Sequence, residues 1–195
     1  MPVGIVILGG GEATRLPGKL ALEVGEVPMI ARVYANLSAG REAFVACNGT
    51  FEAALDARLP APMVVDRFGA RGPLGGLVST LAQMRSRLVF AAAGDAPFVD
   101  SDFVERLGAA WNEGDEALVP MHERDGKLQL EPLAALYDRL AFLREGLVVL
   151  RSGRGALRAV IDRLRARTIL VPDAGLFANV NTPAEYAALC SGLRA

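Results

Sequence analysis

A glycine-rich segment near the N-terminus contains the residues best suited to chemistry. Residues 9–19 read GGGEATRLPGK and directly follow six almost wholly apolar residues, 3–8. Glycines let backbone N–H groups approach phosphate oxygens closely, and Arg15 and Lys19 add the positive charge that a polyphosphate requires. The segment therefore predicts a polyphosphate site. The alternative is a strand-to-helix turn whose two cations are merely solvated.

Two better-known phosphate motifs do not fit this segment. A P-loop would have glycine where Ala13 stands and a serine or threonine where Leu20 stands. A dinucleotide fingerprint beginning at Gly9 would have its third glycine where Thr14 stands. The count argues against both a Walker-type NTPase and a dinucleotide-dependent oxidoreductase.

Asp95 is the second candidate, in the string GDAPF at 94–98 directly after the apolar run 88–93. A carboxylate at the end of a buried strand faces the crevice into which the glycine-rich segment also opens. Its hard oxygen ligands suit Mg²⁺ held against substrate phosphates. The alternative is an ordinary turn or capping aspartate. We expect Asp100 and Asp102, which follow, to be turn and cap residues.

Two further segments could complete such a site. Residues 72–77 read GPLGGL and open a predicted helix, whose free N–H groups could meet an anion or a sugar edge, or simply pack closely. In residues 177–186, FANVNTPAEY, the string at 182–185 predicts a capped helix start. Asn179 and Asn181 just before it could orient phosphates or complete the water shell of a metal.

The elements that must position these residues follow from the apolar pattern. Short apolar runs alternate with amphipathic stretches, which predicts an α/β fold with a mainly parallel sheet flanked by helices. Residues 113–130 predict a hairpin or exposed loop with His122 at the surface, and Ser101 and Asp102 are candidate caps. The predicted strands are 3–8, 43–47, 63–65, 88–93, 117–120 and 168–171; the predicted helices are 28–37, 51–58, 74–87 and 102–112, with a helical pattern again over 140–167.

Composition narrows the classes of function. With 195 residues, 52% of them hydrophobic, we expect one domain over residues 1–195. The net charge of −1 provides no overall field for nucleic acid or an anionic membrane. Cys47 and Cys190 match no metal-ligand spacing, and the first residues show no signal-peptide pattern, so we expect a cytoplasmic protein.

In this order, the segments resemble the molybdenum cofactor guanylyltransferase family, one of the glycine-loop nucleotidyltransferases, over residues 8–186. The matching strings are the glycine loop with Arg15 and Lys19, Gly-Pro-Leu from Gly72, Asp-x-Pro-Phe from Asp95, and Asn-Val-Asn-Thr-Pro at 179–183. The resemblance implies a Rossmann-like, mainly parallel mixed sheet. It also implies Mg²⁺ as cofactor and GTP and molybdopterin as substrates.

The resemblance assigns roles residue by residue. Catalysis would involve Arg15, Lys19 and Asp95, with Asp95 also holding the metal. The nucleotide would be bound by Leu8, Gly9, Gly10, Lys19, Asn48, Asp66 and Asp95, and the acceptor by Gly75, Asn179 and Asn181. The protein would be a monomer or weak oligomer, with transient contact to molybdenum enzymes or chaperones.

The chain departs from the family pattern at two places. No aspartate precedes Lys19, and Glu131-Pro132 stands where relatives often have His-Pro. A cytidylyltransferase acting on the same pterin and a transferase with another phosphorylated acceptor therefore remain alternatives. A non-catalytic nucleotide-binding protein that delivers a cofactor is a separate alternative from another class. Whether Glu131, Arg151 and Arg154 contact substrate is likewise open.

Overall fold

The computed structural model describes residues 2–9, 18–48, 58–69, 71–124 and 126–192. The predicted loop residues Gly10 and Arg15, and the predicted helix at 51–58 except for Arg58, lie outside these ranges. The described strands are β1 Val3–Leu8, β2 Glu23–Val24, β3 Val27–Pro28, β4 Ala43–Cys47, β5 Met63–Val65, β6 Leu88–Ala93, β7 Ala117–Arg124, β8 Lys127–Leu130, β9 Ala134–Asp138 and β10 Ala166–Leu170. The described α-helices are α1 Met29–Ser38, α2 Gly72–Leu81, α3 Ser101–Ala110, α4 Arg139–Arg151, α5 Leu157–Ile161 and α6 Pro183–Gly192.

One eight-stranded sheet carries most of these elements. Its order is β10-β7-β9-β6-β1-β4-β5, with β8 paired to β7. Strands β8 and β9 run antiparallel to their neighbours, whereas the pairs β1–β4, β1–β6, β4–β5 and β7–β10 are parallel. The predicted α/β fold with a mainly parallel, mixed sheet is confirmed.

The central strand β1 is buried on both faces, as its unbroken apolar sequence predicts. Ile5 and Ile7 pack on one side with residues of α1 and α3. Val6 and Leu8 pack on the other side with residues of α2, α4 and α5. Helices therefore cover both faces of the sheet at β1.

The largest departure from the predicted elements lies in the second half of the chain. Strand β9 was not predicted, because a short apolar run rich in alanine and leucine does not reveal its type by periodicity. The predicted helical stretch 140–167 divides into α4, α5 and the start of β10, with Gly153 at a positive φ of 81° just after α4. The helix predicted to reach Arg87 ends at Leu81.

The cap of α3 is Asp100, which confirms the expectation that Asp100 is a turn or cap residue, whereas the prediction of Ser101 or Asp102 as the cap was wrong. Asp100 Oδ1 accepts a hydrogen bond from the Phe103 N–H at 2.8 Å. The Ser101 hydroxyl instead donates to the Asn36 carbonyl at 3.0 Å, across to α1. An N-cap residue must precede the first helical turn, which only Asp100 does here.

The predicted capped start of α6 is confirmed. Glu185 Oε2 accepts from the backbone N–H groups of Asn181 at 2.8 Å and Thr182 at 2.9 Å. Thr182 Oγ1 in turn accepts from the Glu185 N–H at 3.2 Å. This reciprocal pair is a capping box, and it fixes the chain direction just after Asn179 and Asn181.

Neither membrane helices nor disulfides shape the described part of the chain. Within it, every helix is too short or too polar to cross a membrane. Cys47 is a buried free thiol in β4, and Cys190 is a half-buried free thiol in α6.

Candidate active site

The carboxyl ends of the parallel strands bring several predicted residues to one edge of the sheet. Gly9 follows β1, Asn48 follows β4, Asp66 follows β5, and Asp95 lies two residues beyond β6. Because these strands are parallel neighbours, their ends lie side by side. Ligands of open α/β sheets bind at this edge.

Three residues from separate motifs meet at this edge. Lys19 Nζ forms an ion pair with Asp95 Oδ2 and donates to Asn181 Oδ1 at 2.9 Å. The Val180 N–H donates to the Asp95 carbonyl at 3.1 Å. This bond attaches the asparagine segment, residues 179–181, to the loop after β6. The Lys19 and Asp95 side chains are only 18% and 14% exposed, so little water separates their charges.

Two glycines set the positions of these charges. Gly18 has a φ of 66°, in the left-handed region that favours glycine, directly before the short 3-10 turn Lys19–Ala21. A Cβ at Gly94 would lie 2.9 Å from the Leu8 carbonyl oxygen. Glycine therefore allows β1 and the loop after β6 to approach closely, and Asp95 emerges next to β1.

Asp66 and Gly75, predicted to contact different substrates, lie against each other. A Cβ at Gly75 would be 2.6 Å from Asp66 Oδ2 and 2.8 Å from Oδ1. The carboxylate is held in place by the Phe68 N–H, which donates to Oδ1 at 2.8 Å, and by the Ser79 hydroxyl at 3.4 Å. The missing side chain at Gly75 in α2 thus leaves the space that the Asp66 carboxylate occupies.

Two cavities open beside the asparagine segment. The larger has a volume of about 600 Å³, and the smaller about 280 Å³. Both are lined by Glu131, Phe177 and Asn179. The larger cavity is also lined by Asn181, which contacts Lys19. One end of this cavity therefore adjoins the charged cluster, formed by Lys19, Asp95 and Asn181.

His122 is buried, so its prediction as a surface residue was wrong. Strand β7 continues to Arg124 and pairs with β8, which brings the His122 ring inside, where the residue is 3% exposed. The ring centroid lies 5.2 Å from that of Phe177, and Nε2 lies 2.8 Å from Glu131 Oε1. The polar string at 122–127 resembles a loop, which conceals this inward-facing position.

Sequence reasoning also missed several residues that line the larger cavity. Arg124 provides a cation there, whereas Arg151 and Arg154 are exposed at the end of α4 and just after it. His122 and Arg124 are two residues apart on β7, the spacing that places side chains on one face of a strand. This two-residue spacing could have indicated that His122 and Arg124 face the same side, but only if β7 had been predicted to extend past Pro120.

The charge of Glu185 is directed toward the start of α6. The Asn181 N–H lowers the pKa of Glu185, with further lowering from Thr182 and from the nearby positive charge of Arg124. Glu185 therefore remains ionised and holds the backbone of Asn181 in place. The Asn181 side chain is free to point at Lys19.

The oxygen donors at this edge fit a metal that is held partly by substrate. Within the described ranges, no three His, Cys, Asp or Glu side chains form a group that could hold a metal ion. Among the described residues, the contacts of Lys19 bring together the carboxylate of Asp95 and the amide oxygen of Asn181. Mg²⁺ usually keeps several waters and binds one or two carboxylates together with substrate phosphates, so this donor set fits it.

Comparison with known proteins shows which family the chain resembles. A family model described as the MobA-like NTP transferase domain matches residues 5–170. The molybdenum cofactor guanylyltransferase of Cupriavidus pinatubonensis is 30% identical over 182 residues, covering 91% of this chain and 90% of that protein.

Solved structures show the same fold. Molybdopterin-guanine dinucleotide biosynthesis protein A from Archaeoglobus fulgidus has a TM-score of 0.79 at 22% identity, covering 98% of this chain and 99% of that one. The 2-C-methyl-D-erythritol 4-phosphate cytidylyltransferase of Thermus thermophilus has a TM-score of 0.78 at 18% identity, covering 100% of both chains. At these identities the likeness concerns the fold alone.

Proposed function

The chain belongs to the family of MobA-like NTP transferase domains and is a nucleotidyltransferase, and we propose that it transfers GMP from Mg-GTP to molybdopterin and releases pyrophosphate. The observation that carries the proposal is the meeting of Lys19, Asp95 and Asn181 at the carboxyl edge of the sheet. The names of the relatives support guanosine as the nucleoside and a molybdopterin as the acceptor.

The proposed reaction is an in-line displacement. An oxygen of the acceptor's terminal phosphate attacks the α-phosphorus of GTP, the new phosphorus–oxygen bond forms, and the bond to the β-phosphate oxygen breaks. The phosphate monoester is already a nucleophile, so neither a covalent enzyme intermediate nor a strong general base is required. Catalysis then depends on positioning and on neutralising charge.

The residues at the edge would share these tasks. Lys19 would donate to phosphate oxygens, together with Arg15 and Gly10. Leu8 and Gly9 would line the site, because the Gly9 N–H already donates to the Ala46 carbonyl at 2.8 Å. Mg²⁺ held by Asp95 would neutralise negative charge on the triphosphate. Asn48 and Asp66, at the ends of β4 and β5, would contact the nucleotide.

The acceptor would occupy the larger cavity beside the asparagine segment. Asn181 contacts Lys19 and lines this cavity, so it lies between the two proposed substrate positions. Asn179 lines the same cavity. Gly75, predicted to bind the acceptor, lines neither cavity and lies against the Asp66 carboxylate, so its proposed effect is on the nucleotide side. An acceptor phosphate placed at Asn181 would therefore be next to the charged cluster.

Radiolabel transfer tests this function directly. Each of the four nucleoside triphosphates, labelled at the α-phosphate, is incubated with the protein, Mg²⁺ and molybdopterin, and labelled product and pyrophosphate are measured. We expect the label of GTP to appear in the product, in an amount equal to the pyrophosphate released. Transfer from CTP alone would identify a cytidylyltransferase, and GTP binding without pyrophosphate release would identify a delivery protein.

Asp95→Ala tests the proposed metal ligand. We expect kcat/KM to fall at least about a hundredfold, because a charge-neutralising group in a low-dielectric site contributes that much or more. Asp102→Ala is the matched control, since Asp102 is exposed in the first turn of α3. Magnesium-dependent transfer by Asp95→Ala at the rate of the control would rule out this role.

A further inference from the structure

Glu131 has an unusual position at the wall that the two cavities share. It lies between β8 and β9, where its N–H donates to the Pro120 carbonyl at 2.9 Å and its carbonyl accepts from Ala134 at 3.1 Å. Its carboxylate is 24% exposed and lines both cavities. The backbone is therefore fixed on both sides, while the charged end faces the space in which the acceptor is proposed to bind.

His122 holds one oxygen of this carboxylate. His122 Nε2 lies 2.8 Å from Glu131 Oε1, and the described residues form no bond to Oε2. The His122 ring packs on Phe177, whose ring meets that of Phe103 edge-on at 5.6 Å. The carboxylate is thus anchored to the core through a row of rings, which leaves it few alternative orientations.

The hydrogen bonding of His122 defines its role. His122 Nδ1 is buried and has no partner among the described residues. A proton on Nδ1 would bury an unsatisfied donor and leave two lone pairs facing each other between Nε2 and Glu131. The neutral ring therefore carries its proton on Nε2 and donates it to Glu131, which remains a pure acceptor toward the cavity.

The larger cavity, which the Glu131 carboxylate faces, combines apolar surface with one positive charge. Phe98, 45% exposed, and the buried Phe177 and Leu189 provide apolar surface, and Arg124 provides a positive charge. A carboxylate has about four acceptor positions, of which His122 uses one. Such a site suits a flat heterocycle that presents adjacent N–H donors on one edge and carries an anionic substituent.

We propose that Glu131, positioned by His122, determines acceptor specificity by binding the N–H edge of the acceptor's heterocycle. The inference rests on the proposed function, in which the acceptor is a pterin. The 2-amino-4-oxopyrimidine ring of a pterin carries an exocyclic amine beside a ring N–H, the donor pair that a carboxylate accepts. The step is one of binding only, so no proton or bond is exchanged with Glu131.

Binding measurements on a matched ligand pair test the proposal independently of turnover. The probes are 6-hydroxymethylpterin phosphate and its lumazine counterpart, in which a carbonyl oxygen replaces the 2-amino group. Each is titrated into the protein and followed by ligand fluorescence. We expect the wild-type protein to bind the pterin at least about tenfold more tightly, because the lumazine turns a carbonyl oxygen toward the carboxylate.

Glu131→Gln provides the decisive variant. Gln keeps an oxygen for the His122 N–H but presents an amide N–H₂ to the cavity, so the preference for the pterin should fall to about one or reverse. Glu123→Gln, an exposed carboxylate on the same hairpin, should keep the wild-type ratio. His122→Phe, which releases the Glu131 carboxylate, should weaken the preference in the same direction.

Kinetics separate this role from others. In the transfer reaction, Glu131→Gln should raise KM for molybdopterin about tenfold while kcat at saturating acceptor stays within about threefold of wild type. A raised KM for GTP instead, or a loss of kcat alone, would overturn the proposal. Equal binding of both probes by the wild-type protein would overturn it as well, even where transfer activity is normal. Absence of transfer with a retained pterin preference would contradict only the proposed function.

Discussion

At the scale of single residues, Lys19 is the group on which the charged cluster depends. Its ammonium contacts Asp95 and Asn181, which come from two distant parts of the sequence. The proposed metal would bind the same Asp95 carboxylate that Lys19 now pairs with. Lys19 and the proposed metal would therefore compete for one carboxylate, and the lysine would become available to phosphate oxygens once the metal was bound.

Lys19→Met should separate these two effects. Removing a donor that neutralises charge in the transition state should lower kcat/KM about a hundredfold or more. The same change frees Asp95 from its competing cation, so Mn²⁺, used as a probe for Mg²⁺, should bind more tightly without nucleotide. Steady-state kinetics and the electron paramagnetic resonance signal of free Mn²⁺ measure the two quantities.

Lys127→Met is the matched control for this experiment, because Lys127 is exposed on the hairpin between β7 and β8. It should leave both quantities within about twofold of wild type. Unchanged Mn²⁺ affinity in Lys19→Met would show that the ion pair does not compete with the metal. Unchanged turnover would remove Lys19 from the catalytic cluster.

The sequence predicts the charged cluster better than the cavity wall. Lys19, Asp95 and Asn181 each follow a strand or precede a helix in a recognisable string, and parallel strands bring their ends together. The bond between His122 and Glu131 depends on how β7, β8 and β9 fold back on one another. A hairpin register that shifts by one residue reverses which side chains face inward, so the sequence leaves this pair hidden.

At the scale of the elements, α2 supports the nucleotide side of the site through two adjacent glycines. A Cβ at Gly75 would lie 2.6 Å from Asp66 Oδ2, whereas one at Gly76 would meet only Ala46 Cβ at 3.4 Å and Leu8 Cδ2 at 3.6 Å. The first contact requires the carboxylate to move, and the second is ordinary packing. The two positions therefore form an internal comparison.

Gly75→Ala should raise KM for GTP about tenfold, since displacing the Asp66 carboxylate removes its proposed hydrogen bonds to the nucleotide. Gly76→Ala should leave KM near the wild-type value. Both changes remove a glycine from a helix, which alone favours the folded state by roughly 0.5–1 kcal/mol. Urea unfolding measures this change in the free energy of unfolding. Equal KM values for GTP in the two variants would show that the position of Asp66 does not affect nucleotide binding.

At the scale of the whole molecule, the order of the sheet depends on one strand that the sequence does not reveal. The parallel strands β1, β4, β5 and β6 are predicted by apolar runs that end in glycine or a polar residue. Strand β9 joins this half to β7 and β10 and runs antiparallel to both neighbours. Its short Ala-Ala-Leu sequence suits a helix equally well, so only packing between two other strands specifies it.

The far edge of the sheet is held partly by an ion pair that should make stability depend on pH. Arg167 Nη2 on β10 lies 2.8 Å from Asp115 Oδ2, which also accepts from the Asn112 N–H at 2.9 Å. The hydrogen bond from Arg167 holds the pKa of Asp115 below its ordinary value. A lowered folded-state pKa stabilises the protein above the ordinary value of about 3.9, and this contribution is lost as the pH falls through the folded-state pKa.

Asp115→Asn should therefore destabilise the protein at pH 7 by about 1 kcal/mol, a modest amount because Arg167 is one-third exposed. The difference from wild type should shrink as the pH falls from about 4 toward 2, because the wild-type carboxyl then takes up a proton. The control is Asp162→Asn, which removes an exposed ion pair between Arg158 in α5 and Asp162 just after it. It should change the free energy of unfolding by less than about 0.5 kcal/mol across this pH range. Urea unfolding at a series of pH values measures both variants, and a destabilisation by Asp115→Asn that stayed constant down to the lowest pH would show that hydrogen-bond geometry, rather than charge, holds β10 to the sheet.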